Sequence, residues 1–268
     1  MATVARLAGV VLLITAGAVY PYLPGEYDPL AVPLSTVAQV GSVAALLLAP
    51  IGLAGLLTSA NRSRRASLAG LAIVGLVMCG VAWATGGRLL GLIGLVAGTW
   101  LVQRWRRLGA HGTEASSVLR LALVIVPITA VAVQWLALGT MAASSRRHAI
   151  DAATTLVQEL ETHRATHGRY PASLTGAWPD YKPRVMGVER YQYTRHDDSY
   201  TLFFELPVPL LEAPGTREFV AYDPRGAYVM LSHAAWHVTR SPAALAQGQG
   251  WYATRDTERP GWRSFFFD

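Results

Sequence analysis

Long apolar stretches separated by short polar segments fill the first half of the chain. Uncharged runs cover residues 7–25, 31–60, 66–87, 89–103 and 121–145. A helix needs about 20 apolar residues to cross the hydrocarbon core of a bilayer. We therefore predict five membrane spans, at about residues 4–23, 34–57, 66–84, 86–103 and 120–141. The fourth reaches full length only if Arg88 extends its stem to the headgroups.

In the second half, apolar residues no longer form long runs but recur at the spacings of amphipathic helices and strands, as in a soluble domain. One apolar stripe has helical spacing: Ile150, Ala153, Val157 and Leu160. It predicts an amphipathic helix over residues 144–167, which runs almost directly out of the fifth span. Gly168 suits the residue after a helix end, and Pro171 prevents the helix from resuming.

Alternating apolar and polar residues after this helix predict three pairs of strands. The pairs are 191–195 with 200–206, 218–222 with 227–231, and 251–254 with 262–267. The first two flank the turn sequences His-Asp-Asp-Ser and Asp-Pro-Arg-Gly. Residues 232–250 are predicted as a loop with a short helix after Ser241-Pro242. A helix followed by hairpins indicates an α+β domain with an antiparallel sheet.

Composition and charge separate the two halves further. Of the 268 residues, 52% are hydrophobic and 15% charged, whereas soluble domains have roughly 25% charged residues. Residues 1–143 carry nine arginines and three acids, and residues 144–268 carry fourteen basic and fourteen acidic residues. The net charge of +6 therefore comes from the apolar half, where it sets orientation. We expect no nucleic-acid partner.

Basic residues alternate with non-basic loops along the apolar half. Arg6 and the loops 61–65 and 104–107 are basic, whereas residues 21–33 carry only acidic charges. The positive-inside rule then places the N-terminus in the cytoplasm and the chain from residue 144 onward outside it. Arg146 and Arg147, just after the fifth span, are the contrary signal.

The first span has a second interpretation. Arg6, the apolar run after it and Ala16-Gly17-Ala18 also match a cleavable secretory signal. We favour a retained span because the basic region before the run is thin. Cleavage would leave four spans and would keep the second half on the same side.

The predicted span interiors contain no charged residue, which disfavours an ion-coupled transporter. Gln39 and Gln134 are their large polar side chains, and a hydrogen bond between helices is the favoured interpretation. Together with Ser42, these glutamines could instead line a water path through the bundle.

A stretch that stops the predicted helix carries a resemblance to a known family. The helix, then Gly168-Arg169-Tyr170-Pro171-Ala172-Ser173-Leu174, then a tyrosine-rich hairpin resembles the globular heads of type IV pilins and type II secretion pseudopilins over about residues 148–206. The resemblance implies a pilin-like fold fed by an apolar helix. No processing site with a glutamate precedes Leu121, so filament assembly is not implied.

Four histidines are candidate metal ligands. His163 and His167 lie four positions apart on the predicted helix, and His233 and His237 repeat the spacing. Arg164 and Ala234 stand where a zinc protease needs glutamate. A structural role for the histidines is therefore favoured over a zinc site.

Other candidate constellations are weaker still. Ser232-His233 follows Asp223, but no nucleophile elbow exists. Glu159 and Glu161 cannot share a helix face. A binding surface for sugar or peptide could include four aromatic residues and four arginines, although core packing is favoured for the aromatics. These residues are Trp236, Trp251, Tyr252, Trp262, Arg240, Arg255, Arg259 and Arg263.

We therefore expect a transmembrane helical domain of residues 1–143 and an extracytoplasmic, pilin-like α+β domain of residues 144–268. The favoured function is a non-enzymatic bacterial inner-membrane protein whose periplasmic domain binds another envelope protein or a glycan, as an accessory to envelope or secretion assembly. The alternatives are a small-solute conduit with a periplasmic lid and a metal-dependent periplasmic enzyme. We assign no catalytic, cofactor or metal residue.

Overall fold

A computed structural model describes residues 2–50, 52–53, 73–82, 84, 92, 96, 99, 113–174, 181–196, 198–226, 228, 230–231, 237–238 and 252–267. The chain forms two compact units. The first, here called the membrane unit, consists of Met1–Tyr20 and Pro29–Gly139, and the second, the soluble unit, of Pro21–Asp28 and Thr140–Asp268.

Apolar helices build the membrane unit. They are α1 (Ala2–Val19), α2 (Ala31–Ala45), α3 (Ile73–Ala82) and α4 (Thr113–Ala152), with 3-10 turns at Tyr20–Tyr22 and Leu46–Leu48. Within the described residues, three helical stretches are long and apolar enough to cross a membrane: Val4–Tyr22, Ala31–Leu48 and Arg120–His167. This is a membrane protein. The predicted spans at 66–84 and 86–103 lie mostly outside the described residues.

Large apolar side chains point outward from these helices. Leu13 of α1 is 75% exposed, and Trp135 of α4 is 68% exposed. Such surfaces suit lipid, because apolar helices that lack a polar face are found in membranes or buried cores. Helices α1 and α2 pack closely at Gly17, where a Cβ would lie 3.5 Å from Ala38 Cβ.

The helix of the soluble unit continues α4 almost without a break. Ala153 alone separates α4 from α5 (Thr154–His167); it keeps helical angles, and its N–H donates to Ala149 O at 3.1 Å. Helix α5 ends as predicted, because Gly168 adopts φ 72° and its N–H donates to Arg164 O at 2.8 Å. The left-handed angle favours glycine, which has no Cβ to clash.

Five antiparallel strands form the sheet of the soluble unit, in the order β1-β2-β3-β7-β6. The strands are β1 (Gln192–His196), β2 (Ser199–Leu206), β3 (Arg217–Tyr222), β6 (Tyr252–Asp256) and β7 (Trp262–Phe267), and a second, two-stranded sheet pairs β4 (Met230–Leu231) with β5 (His237–Val238). The first and third predicted strand pairs are confirmed.

The second predicted hairpin is wrong. Strand β3 pairs with β2 and with β7, and β4 pairs with β5, which lies in the predicted loop 232–250. After the turn, Tyr228 takes φ 48° and its N–H donates to Asp223 Oδ2 at 2.9 Å. The chain therefore turns away from β3, and the edge of β3 is paired by β7 instead.

Both faces of the sheet are buried. One face packs on the helix, with Tyr200, Leu202, Phe204 and Leu206 against Leu156 and Leu160. The opposite face carries a second apolar cluster of Phe203, Phe219, Ala221, Tyr228, Phe265 and Phe267. Apolar side chains are therefore buried on both faces of the sheet.

Candidate functional site

The segment Pro21–Asp28, between the first two apolar helices, is part of the soluble unit. Its backbone pairs with residues 184–187. Gly25 N donates to Arg184 O at 3.0 Å, Met186 N to Leu23 O at 3.0 Å, and Gly187 N to Pro21 O at 2.8 Å. We call Pro21–Asp28 the docked segment.

Side chains fit the docked segment closely against its partner. A Cβ on Gly187 would lie 2.6 Å from Pro21 Cβ, so only glycine allows this approach. Lys182 Nζ lies 3.1 Å from Glu26 Oε2, although both side chains are more than half exposed and the pair contributes little. Backbone pairing and packing therefore hold the segment in place.

A buried ion pair lies where the chain enters the soluble unit. Arg146 Nε and Nη2 donate to the two oxygens of Glu218 at 2.7 and 2.8 Å. The Arg146 side chain is 14% exposed and that of Glu218 only 3%. Two N–H groups of one guanidinium thus bond both oxygens of one carboxylate, and this bidentate geometry stabilises an ion pair that is removed from water. Arg146, whose position just after the fifth predicted span opposes the predicted orientation, is therefore paired with a carboxylate inside the soluble unit.

A carboxylate on the helix meets two tyrosines of the core. The Tyr170 hydroxyl donates to Glu161 at 3.0 Å and accepts from Arg164 Nη1 at 3.0 Å, while the Tyr200 hydroxyl lies 3.4 Å from Glu161. Burial raises the pKa of Tyr170, and the hydrogen bond from Arg164 opposes that rise. Glu159 has a different partner, Tyr181, at 2.8 Å. The two glutamates therefore act separately, as their spacing predicted.

Asp223 is the centre of a polar cluster in the soluble unit. Its side chain is fully buried. Oδ2 accepts from Thr201 Oγ1 at 3.0 Å and from Tyr228 N at 2.9 Å, and Oδ1 accepts from Arg225 N at 2.8 Å. His196 Nε2 lies 3.1 Å from Oδ2. This arrangement closes a turn and joins it to the β1–β2 hairpin.

The same cluster contains serine, histidine and aspartate, but it does not form a catalytic triad. A triad uses one ring nitrogen for the acid and the other for the nucleophile. Here His196 Nε2 contacts both Asp223 and Thr201, and the Ser199 hydroxyl is buried and lies 3.5 Å from the carboxylate. The predicted neighbours of Asp223, Ser232 and His233, lie outside the described residues.

The histidines of α5 come together at its last turn. The rings of His163 and His167 stack with centroids 4.2 Å apart and planes 21° apart. Within the part of the chain that the structure describes, no three His, Cys, Asp or Glu side chains are grouped to hold a metal ion. His233 lies outside the described residues, and of His237 only the backbone is described.

A surface cavity of about 360 Å³ lies between α4–α5 and the β6–β7 turn. Its lining is Ile150, Asp151, Thr154, Arg259, Pro260 and Trp262. Ile150 and Trp262 form an apolar floor, at 3% and 8% exposure. Arg259 Nη2 pairs with Asp151 Oδ1 at 2.7 Å on the rim, and both side chains are half exposed.

The predicted aromatic and arginine surface is only partly brought together. Trp262 packs on Phe204 and Tyr222, so its ring belongs mainly to the core. Arg255 lies over Phe266, and Arg263 pairs with Asp256 at 2.7 Å. Arg259 lines the cavity. Trp236, Arg240 and Trp251 lie outside the described residues, and of Tyr252 only the backbone is described.

The buried side-chain hydrogen bonds described in the membrane unit are made by neutral side chains, and one guanidinium nitrogen of Arg120 is also buried there. Gln134 Nε2 donates to Ser42 Oγ, and Gln39 Nε2 to Ser35 Oγ, both at 2.9 Å. Ser35 Oγ donates in turn to Ala18 O in α1. The bond from Gln134 joins two helices, the role that the sequence favoured.

Sequence reasoning identified Glu161, Asp223 and Arg146 without finding their partners. Two donors to Asp223, the N–H groups of Arg225 and Tyr228, belong to its own turn. The Thr201 hydroxyl comes from the β1–β2 hairpin, and no spacing in the sequence relates it to Asp223. No family model matches the chain, and no curated protein or solved structure matches it. The function therefore rests on the sequence and geometry of the chain itself.

Proposed function

We propose that this protein is a multi-pass bacterial inner-membrane protein that presents a periplasmic, pilin-like domain for binding another envelope protein or a glycan. The observation that carries the binding role is the cavity between α4–α5 and the β6–β7 turn. Its apolar floor and charged rim have the anatomy of an interaction site. The exposed pair of Asp151 and Arg259 contributes little to stability, so a partner can replace it at small cost.

The docked segment supports the proposed topology. It belongs to one folded unit with residues 140–268, which supports a topology with both on the same side of the membrane. The chain must then cross the membrane an even number of times between Asp28 and Thr140. Helices α2 and α4 supply two crossings, and the predicted spans at 66–84 and 86–103 would add two more. Five predicted spans give four crossings in this interval, which is an even number, and they place the acidic docked segment outside the cytoplasm.

The arrangement of helix and sheet supports the pilin-like assignment. The apolar helix α4 is followed by α5 after Ala153 alone, and α5 packs on one face of an antiparallel sheet. Gly168 ends the helix, and Tyr170 returns to pack on Tyr200, with ring centroids 4.7 Å apart. The helix of the domain is covalently continuous with its membrane anchor, which suits a fixed domain.

Cysteine labelling tests the topology. Cys79 is the sole cysteine, so a Cys79→Ala protein accepts single cysteines at Ala172 and Ser63. In intact spheroplasts a membrane-impermeant maleimide is expected to label Ala172→Cys and to spare Ser63→Cys until the membrane is opened. The reverse pattern would overturn both the compartment and the proposed function.

Site-specific photo-crosslinking tests the binding role. A photoreactive residue at Thr154, in the cavity, is expected to give a discrete adduct in living cells, whereas one at the exposed Ala172 is not. Arg259→Glu places a second acid beside Asp151, repels the pair and should remove the adduct. Identical adducts from Thr154 and Ala172 would contradict a role for the cavity.

A further inference from the structure

Opposite charges face each other where α4 meets the β6–β7 turn. Asp151 Oδ1 lies 2.7 Å from Arg259 Nη2, on the rim of the cavity. One helical turn earlier, Arg147 Nη1 lies 3.6 Å from Glu258 Oε1. All four side chains are about half exposed or more, and ion pairs in such positions contribute little to stability. A ligand that offers charges of its own can therefore take the place of the rim pair.

The β6–β7 turn holds the backbone of Arg259 in place. Arg259 N donates to Thr257 Oγ1 at 3.3 Å, and Trp262 N donates to Arg259 O at 3.2 Å. Gly261 has φ 78°, and a Cβ there would lie 2.6 Å from Tyr222 Cε2, so the turn lies directly against the core of the sheet. Binding a ligand then requires only that side chains reorient, which keeps the cost of ordering small.

The volume and the floor of the cavity limit what it can hold. About 360 Å³ is near the lower end of the roughly 300–1,000 Å³ found for small-molecule sites. Ile150, Pro260 and Trp262 line it with apolar surface, and Thr154 adds a hydroxyl group. Apolar walls with a few polar groups at one side are typical of a site that orients a small ligand. The space suits one short apolar side chain.

The charges on the rim select among small ligands. An anion would pair with Arg259 but would be repelled by Asp151, and a cation would meet the reverse arrangement. A ligand that carries both charges pairs with both side chains through charge-assisted hydrogen bonds. In an α-amino acid the ammonium and the carboxylate are attached to one carbon, and the side chain on that carbon can turn toward the floor.

We propose that the cavity binds a small α-amino acid with an apolar side chain. Its ammonium donates to Asp151, its carboxylate accepts from Arg259, and its side chain lies on Ile150 and Trp262. This inference rests on the proposed binding role of the cavity and adds a form of regulation. A bound amino acid occupies the space that the macromolecular partner needs, so partner binding falls as the amino acid concentration rises.

Calorimetry of the full-length protein in nonionic detergent micelles, with leucine as the probe, tests the ligand class. Leucine should bind at one site per chain. N-acetylleucine lacks the ammonium and leucinamide lacks the carboxylate, so each should bind at least ~10-fold more weakly. Phosphoethanolamine carries the two charges of a lipid headgroup without an apolar side chain, and it should also bind more weakly. Tighter binding of phosphoethanolamine, or equal binding of leucine and its two derivatives, would overturn the proposal.

Variants of the rim test the two charged contacts. Arg259→Gln and Asp151→Asn should each weaken leucine binding by at least ~10-fold. Arg217→Gln, in an ion pair with Glu205 outside the cavity lining, is the matched control and should bind leucine as the wild type does. Unchanged affinity in both rim variants would contradict the proposed site, and melting curves without leucine check that every variant folds.

Photo-crosslinking from Thr154 in spheroplasts separates this inference from the proposed function. Excess leucine should reduce the adduct, whereas the same concentration of N-acetylleucine should not. An adduct that persists at saturating leucine would overturn the regulation and leave the partner role intact. Leucine binding by the purified protein without any adduct from Thr154 would support the amino acid site and contradict the macromolecular partner.

Discussion

The membrane unit and the soluble unit bury polar groups in different ways. In the membrane unit the buried side-chain hydrogen bonds described join neutral groups, such as Gln134 with Ser42 and Gln39 with Ser35, while Arg120 buries a single guanidinium nitrogen. The soluble unit buries charge, as in the Arg146–Glu218 pair and the Asp223 carboxylate. A charge costs more in hydrocarbon, where no water completes its solvation. A water-soluble domain can bury one if several hydrogen bonds replace that water.

This difference predicts how much each region depends on a single polar side chain. Removing one member of a buried ion pair leaves an unpaired charge, which is expensive. Removing a neutral amide from a membrane helix leaves a hydroxyl that can bond to its own helix. The largest effects should therefore come from the soluble unit.

Glu218→Ala should have the largest effect. It leaves the largely buried Arg146 without its partner and should lower the free energy of unfolding by about 3–5 kcal/mol, measured by pulse proteolysis of the full-length protein in micelles. Glu205→Ala breaks an exposed pair with Arg217 and should cost less than about 1 kcal/mol. Equal losses in the two variants would mean that burial of the pair does not matter.

Asp223→Asn should come next, at about 2–3 kcal/mol. The carboxylate accepts hydrogen bonds from the Thr201 hydroxyl and from the N–H groups of Tyr228 and Arg225. In asparagine the –NH₂ group is itself a donor and cannot accept these bonds. The same measurement on Asp151→Asn, in a half-exposed pair, provides the control and should show little change. A loss below that of the control would contradict the role of Asp223 as the centre of the cluster.

Gln134→Leu should have a much smaller effect, about 0.6 kcal/mol. Ser42 Oγ already donates to Ala38 O at 2.7 Å and keeps that bond. Among the residues that the structure describes, Gln134 Oε1 is buried and has no partner, so leucine also removes an acceptor that they leave unsatisfied. Pulse proteolysis that showed a loss as large as that of Asp223→Asn would remove the contrast between the two units.

The smallest effect concerns an exposed charge. The hydrogen bonds from Arg225 lower the pKa of Asp198, so its ionised form is favoured in the folded state. The resulting stabilisation is present above the unfolded pKa of about 3.9 and is lost as the pH falls through the folded value. Arg225→Gln should return the pKa of Asp198 toward about 3.9, as followed by carboxyl carbon NMR.

The sequence predicted those parts of the fold that depend on local chemistry. Gly168 and Pro171 predicted the end of α5, and the turn sequences marked the β1–β2 hairpin. The pairing of β3 with β7 could not be predicted, because Asp223-Pro224-Arg225-Gly226 specifies a turn without specifying which strand follows. The folded chain pairs β3 with β7, which begins forty residues after β3 ends.

The candidate sites show the same limit. Spacing on one helix predicted that His163 and His167 would meet, and it separated Glu159 from Glu161. It could not predict that Arg259 would meet Asp151, since these residues come from the helix and from the β6–β7 turn. Nor could it show that an acidic loop between two spans would pair with residues 184–187.

The docked segment also sets an order of events during synthesis. Lys182 follows Glu26 by 156 residues, and chains grow at about 5–20 residues per second. Pro21–Asp28 therefore waits roughly 8–30 seconds for its pairing partner to be made. During that interval its peptide groups cannot form the hydrogen bonds that they make with residues 184–187 in the folded chain.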